Sequence, residues 1–240
     1  MPRVFKIRMS FTTLSVAILV FFLHNPCILI AQDTVEKRLE VIRIPEEYSR
    51  QVKDDPAKQM VELKTLIPTL IYDLRYATTN NFMHRLMYPL ETSMTFLRRP
   101  AADSLLEIQE ELNKKGIGIK IFDAYRPYSV TVKFWELVHD ERYVANPARG
   151  SGHNRGIAVD LTLVYLKDNS ELDMGTGFDN FSDTAHHSFT QLPRQILQNR
   201  KLLRSTMEKY GFKALETEWW HYFLPEGSRF EVLDIEFEKL

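Results

Sequence analysis

The segment from Ser151 to Asp160, Ser-Gly-His-Asn-Arg-Gly-Ile-Ala-Val-Asp, constrains this chain more than any other. From Ile157 to Leu163 the residues alternate as a strand does, with Ile157, Val159, Leu161 and Leu163 on one face and Ala158, Asp160 and Thr162 on the other. Ala158 is small, which leaves room for an ion beside Asp160. His153 occupies the glycine-flanked turn just before the strand, where the backbone can fold back and bring its ring toward Asp160. The competing reading of the same residues is a surface loop with a solvated aspartate.

Cys27 is the single cysteine, so an intrachain disulfide and a thiolate zinc site are both excluded, and any metal must be held by His and carboxylate. Glu218-Trp219-Trp220-His221-Tyr222 offers both. Its aromatic residues favour a strand, and a straight strand would point Glu218 and His221 to opposite faces. For the two to serve one ion, the chain must turn or bulge at Glu218, or Glu218 must end the preceding loop. The alternative is an aromatic core strand in which His221 is only packed. Asp123-Ala124-Tyr125-Arg126-Pro127, at the end of an expected strand, presents a guanidinium. Arg126 could stabilise charge developing on a carbonyl oxygen, because it keeps its proton and offers a rigid fork of donors; it could equally form a structural pair with Asp123.

Other candidates are weaker. His186 and His187 are adjacent and point apart on any regular element, while His24 lies in the N-terminal apolar segment, and His84 and His139 have no second histidine close by in the sequence. Ser151 has no Gly-x-Ser-x-Gly elbow around it, and the helical His-Glu-x-x-His signature is absent.

Helices are expected over Ala101 to Lys115, closed by Gly116, over Ser129 to about His139 with Ser129 as cap and Val132, Trp135 and Val138 buried, and over Pro193 to Tyr210, closed by Gly211. Strand-like runs occupy Val61 to Leu66, Leu70 to Tyr76, Ile117 to Phe122, Ile157 to Leu163 and Trp219 to Leu224, and residues 143 to 156 read as a loop. The order lacks a β-α-β rhythm, so the expected class is α+β, with a mainly antiparallel sheet flanked by helices.

At the N-terminus Arg3, Lys6 and Arg8 precede the apolar run Phe11 to Leu23, and apolar residues resume from Cys27 to Ala31. Residues 1–31 therefore read as a signal peptide cleaved after Ala31, with an uncleaved signal anchor as the alternative. Residues 32–58 are polar and read as a linker or loosely docked arm before a domain at 59–240. The expected location is extracytoplasmic or periplasmic, with membrane contact only through the N-terminal segment. A formal net charge of -1 gives no electrostatic reason to expect nucleic acid, and a small neutral or zwitterionic substrate fits better.

Taken together, Tyr76-Ala77-Thr78-Thr79-Asn80-Asn81-Phe82, Asp123 through Pro127, Ser151 through Leu163, Met174 through His187 and Glu218 through His221 closely resemble the vancomycin-resistance-type D-alanyl-D-alanine dipeptidases. These are zinc enzymes of the fold shared by D,D-carboxypeptidases and the hedgehog N-terminal domain. The resemblance runs from about Leu70 to Leu224. It implies one zinc ion per chain on His153, Asp160 and His221, Glu218 as catalytic base and Arg126 as the arginine that meets the transition state. It also implies that Tyr76 and Ser151 lie around a small dipeptide substrate, with Asp179 receiving its amino terminus. Two histidines and one carboxylate leave the fourth position of tetrahedral zinc open, as a catalytic site requires. Two departures stand out: Ala124 occupies a position where Gly is familiar, and cytoplasmic relatives lack the N-terminal extension. Alternatives are a D,D-carboxypeptidase or murein endopeptidase of the same fold, or a non-catalytic zinc-containing wall-binding module, which would need neither Glu218 nor Arg126.

Overall fold

The computed structural model describes residues 39–240. The expected export segment and the start of the expected arm lie outside them. Along the described chain, β1 (Val41–Ile42) leads into α1 (Pro45–Asp54), then β2 (Met60–Glu62), α2 (Leu63–Leu66) and β3 (Ile71–Tyr72). After a long connection come β4 (Phe96–Arg98), α3 (Arg99–Asn113), β5 (Ile117–Asp123) and α4 (Tyr128–Val138). The remainder is β6 (Ala158–Tyr165), α5 (Arg194–Lys209), β7 (Lys213–Ala214), β8 (His221–Phe223) and β9 (Val232–Leu233).

Five strands form the main sheet in the order β3-β5-β6-β8-β7. Only the β3-β5 pair is parallel, so the α+β class with a mainly antiparallel sheet holds. β6 lies at its centre and is buried on both faces from Ala158 to Val164, so Ala158, Asp160 and Thr162 do not face open solvent. Two smaller pairs flank it, β2 with β4 and β1 with β9.

Helix boundaries follow the expected ones to within two residues, because the stop signals are local: Gly116 and Gly211 both adopt left-handed φ just past their helices. The face of α4 differs. Thr131 and Phe134 are its buried residues, one position away from the expected stripe of Val132, Trp135 and Val138. Phe134 is drawn inward by Tyr76 and Phe82, and Thr131 accepts a hydrogen bond from Asn154 Nδ2 at 2.9 Å. Ser129 lies inside the first turn and caps nothing; its N–H donates to Asp234 Oδ1 at 2.8 Å instead.

Val61 to Leu66 splits into a short strand and a helical turn, because Glu62 caps the Thr65 N–H at 2.6 Å. The run from Leu70 keeps only Ile71–Tyr72 as strand, and Tyr76 sits in a 3-10 turn. The expected loose arm is, from residue 39 on, ordered against the domain. Val41 and Ile42 pair with Val232 and Leu233, and Tyr48 is buried with its hydroxyl accepting from the Met60 N–H at 2.7 Å. Arg98, itself fully buried, donates to the carbonyls of Lys58, Arg155 and Glu231, so one guanidinium fastens the arm, the loop before β6 and the C-terminal segment together.

Candidate active site

Sheet register assembles the polar centre. Asp160 on β6 stands opposite His221 on β8 and opposite Asp123 at the end of β5, so all three project from one face at the same end of the sheet. His153 is brought to them by the glycine turn. A Cβ on Gly152 would lie 2.8 Å from the Ala158 Cβ, so only glycine lets the turn lie against β6, and Gly156 closes it with φ +69°. The Ile157 N–H then donates to the Gly152 carbonyl at 3.0 Å.

His153 and Asp160 are buried and His221 is half-buried. Their three candidate ligand atoms lie within 4.8 Å of one another. His153 Nε2 is 3.3 Å from His221 Nδ1 and 3.4 Å from Asp160 Oδ2, and His221 Nδ1 is 2.8 Å from Asp160 Oδ1. His153 Nδ1 is 2.7 Å from the Ala124 carbonyl oxygen, which fixes the tautomer with the proton on Nδ1 and turns the Nε2 lone pair toward the centre. Ala124 is buried and serves this contact through its carbonyl alone, which a glycine would also supply.

Burial holds both imidazoles below their ordinary pKa, so they are neutral, and pushes Asp160 well above the usual carboxylate range. Lone pairs of two neutral imidazoles and a desolvated carboxylate thus converge on one point. A proton satisfies one pair of them at a time; a divalent cation satisfies all three. This donor set, two imidazoles and one carboxylate, fits catalytic zinc.

Glu218 meets the condition the sequence imposed. Residues 216–220 form turns rather than strand, β8 begins only at His221, and the His221 N–H donates to the Glu218 carbonyl at 3.3 Å. Half-buried Glu218 therefore faces the same cavity as His221, and burial pushes its pKa up to about 7. Arg126 forms the pair with Asp123 and also borders the cavity. Its Nε and one terminal nitrogen donate to Asp123 Oδ2 at 3.1 and 2.7 Å, while the guanidinium lies over the rings of Phe134 and Tyr76 at 4.8 and 5.1 Å and lines the cavity.

Tyr76 is buried, and its hydroxyl donates to the Asp179 carboxylate, 3.1 Å from Oδ1. Asp179 adopts φ +59°, and burial and the nearby Asp160 push its pKa well above the usual range. The Ser151 hydroxyl accepts from the Asn154 N–H at 3.2 Å at the cavity wall. Tyr76, Arg126, Ser151, His153, Asp160, Asp179, Glu218 and His221 all line one cavity of about 680 Å³.

Sequence reasoning missed the walls and one anchor. Phe82, Phe134, Tyr143 and Phe181 line the cavity from separate parts of the chain, which no local pattern announces. Asp123 was visible only as a partner for Arg126; the Tyr88 hydroxyl, which donates to Asp123 Oδ1 at 2.5 Å, comes from 35 residues away. His186 lines the cavity but His187 does not, and among the described residues no second cluster of metal-ligand side chains occurs.

A family model described as D-ala-D-ala dipeptidase, of the M15 peptidases, matches residues 56–238. A D-alanyl-D-alanine dipeptidase of Escherichia coli K12 is 32% identical over 179 residues, covering 75% of this chain and 91% of that protein. One from Enterococcus faecium is 32% identical over 180 residues, covering 68% and 89%, and one from Streptomyces coelicolor is 31% identical over 179 residues, covering 67% and 89%. Among solved structures, VanYB in complex with D-Alanine-D-Alanine aligns over 57% of this chain and 76% of that one, with 14% identity and a TM-score of 0.38.

Proposed function

Since this chain belongs to the M15 peptidase family of D-alanyl-D-alanine dipeptidases, we propose that it hydrolyses D-Ala-D-Ala, or a closely related D-amino-acid dipeptide, as a zinc enzyme. The observation that carries the reading is the convergence of His153 Nε2, His221 Nδ1 and Asp160 at one end of the sheet, with Glu218 and Arg126 lining the same cavity.

Zinc held by those three side chains would lower the pKa of a water to about 7 and polarise the scissile carbonyl. Glu218, which is not among the three ligands, takes the proton of the attacking water and returns it to the leaving amine as the C–N bond breaks, giving two free amino acids. A carboxylate raised to about 7 by burial can do both jobs near neutral pH. Arg126 stabilises the charge that gathers on the carbonyl oxygen, and Asp123 aims it. Asp179, steadied by Tyr76, pairs with the substrate's ammonium group, and Ser151 borders the dipeptide.

The proposal extends to place. Arg3, Lys6 and Arg8 ahead of the apolar run Phe11 to Leu23 support export, with cleavage after Ala31. An exported dipeptidase would act on wall-derived dipeptide rather than on a cytoplasmic pool.

Metal analysis tests the core of this reading. Purified protein is expected to hold about one zinc per chain, with bonds of about 2.0 to 2.2 Å. Chelation should abolish release of D-alanine, zinc should restore it, and His153→Ala should lose both metal and activity. Full activity in metal-free protein would end the zinc reading.

Asp179 carries the dipeptide preference. A longer peptide puts a neutral amide where the ammonium should be and leaves the carboxylate unpaired in a confined site, at a cost of about 1 to 3 kcal/mol or more. The unmodified enzyme should therefore favour D-Ala-D-Ala over its N-acetylated form by roughly tenfold to a hundredfold or more, and Asp179→Asn should raise KM for the free dipeptide and shrink that preference. Equal rates on both substrates in the unmodified enzyme would exclude this role.

A further inference from the structure

Arg200 lies in α5, away from the cavity wall, and is only 5% exposed. A buried guanidinium is costly unless its donors are used, and all three hydrogen-bonding nitrogens of Arg200 end on main-chain carbonyls. Nε donates to Met174 at 2.7 Å, Nη1 to His186 at 3.2 Å and Nη2 to Thr184 at 2.9 Å. These carbonyls belong to the two stems of a single connection, residues 174–186, with Asp179 between them.

The neighbouring contacts act on the same connection. Asn199 Nδ2 donates to the Asp173 carbonyl at 2.8 Å, just before the first stem. Gly175, with φ +85°, lies so close to the start of α5 and the residues before it that a Cβ there would be 3.1 Å from side-chain atoms of Ile196 and Leu192. Both stems reach the turn that carries Glu218: the Trp219 N–H donates to the Ala185 carbonyl of the second at 3.1 Å, and Trp219 Nε1 donates to Thr176 Oγ1 of the first at 2.8 Å. At the crest the left-handed Asp179 meets the Tyr76 hydroxyl. The connection is thus tied at its base by the rigid fork of Arg200, with Asn199 and Trp219 beside it, and at its tip by the Tyr76 hydroxyl and by Phe178 stacked on Phe122.

We propose that Arg200 is a positioning residue for this reaction: by closing both stems of the 174–186 connection, it sets the spacing between Asp179 and the His153, Asp160, His221 centre that a single amino-acid residue must span. This rests on the reading of Asp179 as the receiver of the substrate's amino terminus. The guanidinium suits the task because its donors are coplanar and fixed in direction, whereas an ammonium radiates from one point and serves three separated carbonyls poorly.

The test uses the zinc-loaded full chain with R200K and R200Q, assayed on D-Ala-D-Ala and its N-acetylated form. Both variants should keep about one zinc per chain. KM for the free dipeptide should rise by about tenfold or more with a smaller fall in kcat, and the preference for the free amine should shrink, more in R200Q than in R200K. Backbone hydrogen exchange should quicken across 174–186 and stay unchanged in β5 and β6. A folded, zinc-loaded R200Q with unaltered KM and unaltered preference would overturn the proposal. If R200Q does not fold, R200K decides by the same comparison. If the unmodified enzyme itself does not distinguish free from acetylated dipeptide, the reading of Asp179 fails. Exchange still judges the tie in that case, and unaltered protection of 174–186 in R200K overturns it separately.

Discussion

Glu218→Gln is expected to bind zinc as the unmodified protein does and to lose roughly two to four powers of ten in kcat. The substitution keeps the shape of the side chain and removes only its ability to take and return a proton. Because the side chain lies in the turn before β8 and is not among the three converging ligand atoms, metal content should be untouched. Zinc would still polarise the carbonyl and Arg126 would still face the developing charge, so a residual rate should survive. Measuring zinc content and single-turnover hydrolysis on the same preparation separates the outcomes. Near-normal turnover would leave Glu218 with a structural role, and joint loss of zinc and activity would make it a ligand.

The second large effect concerns Arg126. Removing a fixed donor that meets an oxyanion costs about 10² to 10³ in kcat in comparable sites, and the loss should fall on kcat more than on KM because the interaction strengthens as charge develops. The structure adds a complication for Arg126→Ala. Asp123 is completely buried and has Arg126 as its cationic partner, so the alanine variant leaves a desolvated carboxylate that keeps the Tyr88 hydroxyl and the neutral His153 ring, 3.7 Å away, but loses its guanidinium. Breaking one partner of such a pair destabilises a protein by about 3 to 5 kcal/mol, so Arg126→Lys is the cleaner probe. It keeps the charge and loses the fork, and kcat should still fall by about tenfold to a hundredfold while the melting temperature drops less than in the alanine variant. A loss confined to KM would instead assign Arg126 to holding the substrate in its ground state.

Part of the centre was legible because its geometry is local: a glycine-flanked histidine shortly before an aspartate on an alternating strand places both near one point. His221 joins them from 61 residues away through the pairing of β6 with β8, which no local pattern announces, and the family resemblance alone had made it a ligand. The turn demanded at Glu218 followed from period-two alternation alone. Asp179 was not legible in this way: it follows Phe178 in a glycine-rich connection, and only the family resemblance singled it out before Tyr76 was seen against it.

Other features depend on long-range packing. The phase of α4 turned on Phe134 meeting Tyr76 and Phe82, which lie in a distant connection. The ordered arm from residue 39 to 58 carried local helix signals, with Pro45 at its start, Glu46 and Glu47 in the first turn and Lys53 in the last. Its helix has one buried residue, Tyr48, so no apolar period announced that it docks. Its attachment comes from pairing with β9 and from Arg98, both remote in sequence. The aromatic walls of the cavity share this origin, since Phe82, Tyr143 and Phe181 meet only once three connections have been folded over the same end of the sheet.

The most direct test of the central claim compares two substrates on one zinc-loaded preparation: free D-Ala-D-Ala, and a pentapeptide wall stem ending in D-Ala-D-Ala, each followed by release of D-alanine. If Asp179 receives a free amino terminus one residue from the scissile carbonyl, the dipeptide should be hydrolysed readily, and kcat/KM for the stem should be at least roughly tenfold to a hundredfold lower. Comparable hydrolysis of both, or hydrolysis of the stem alone, would contradict the account and make the chain a D,D-carboxypeptidase built on the same zinc site.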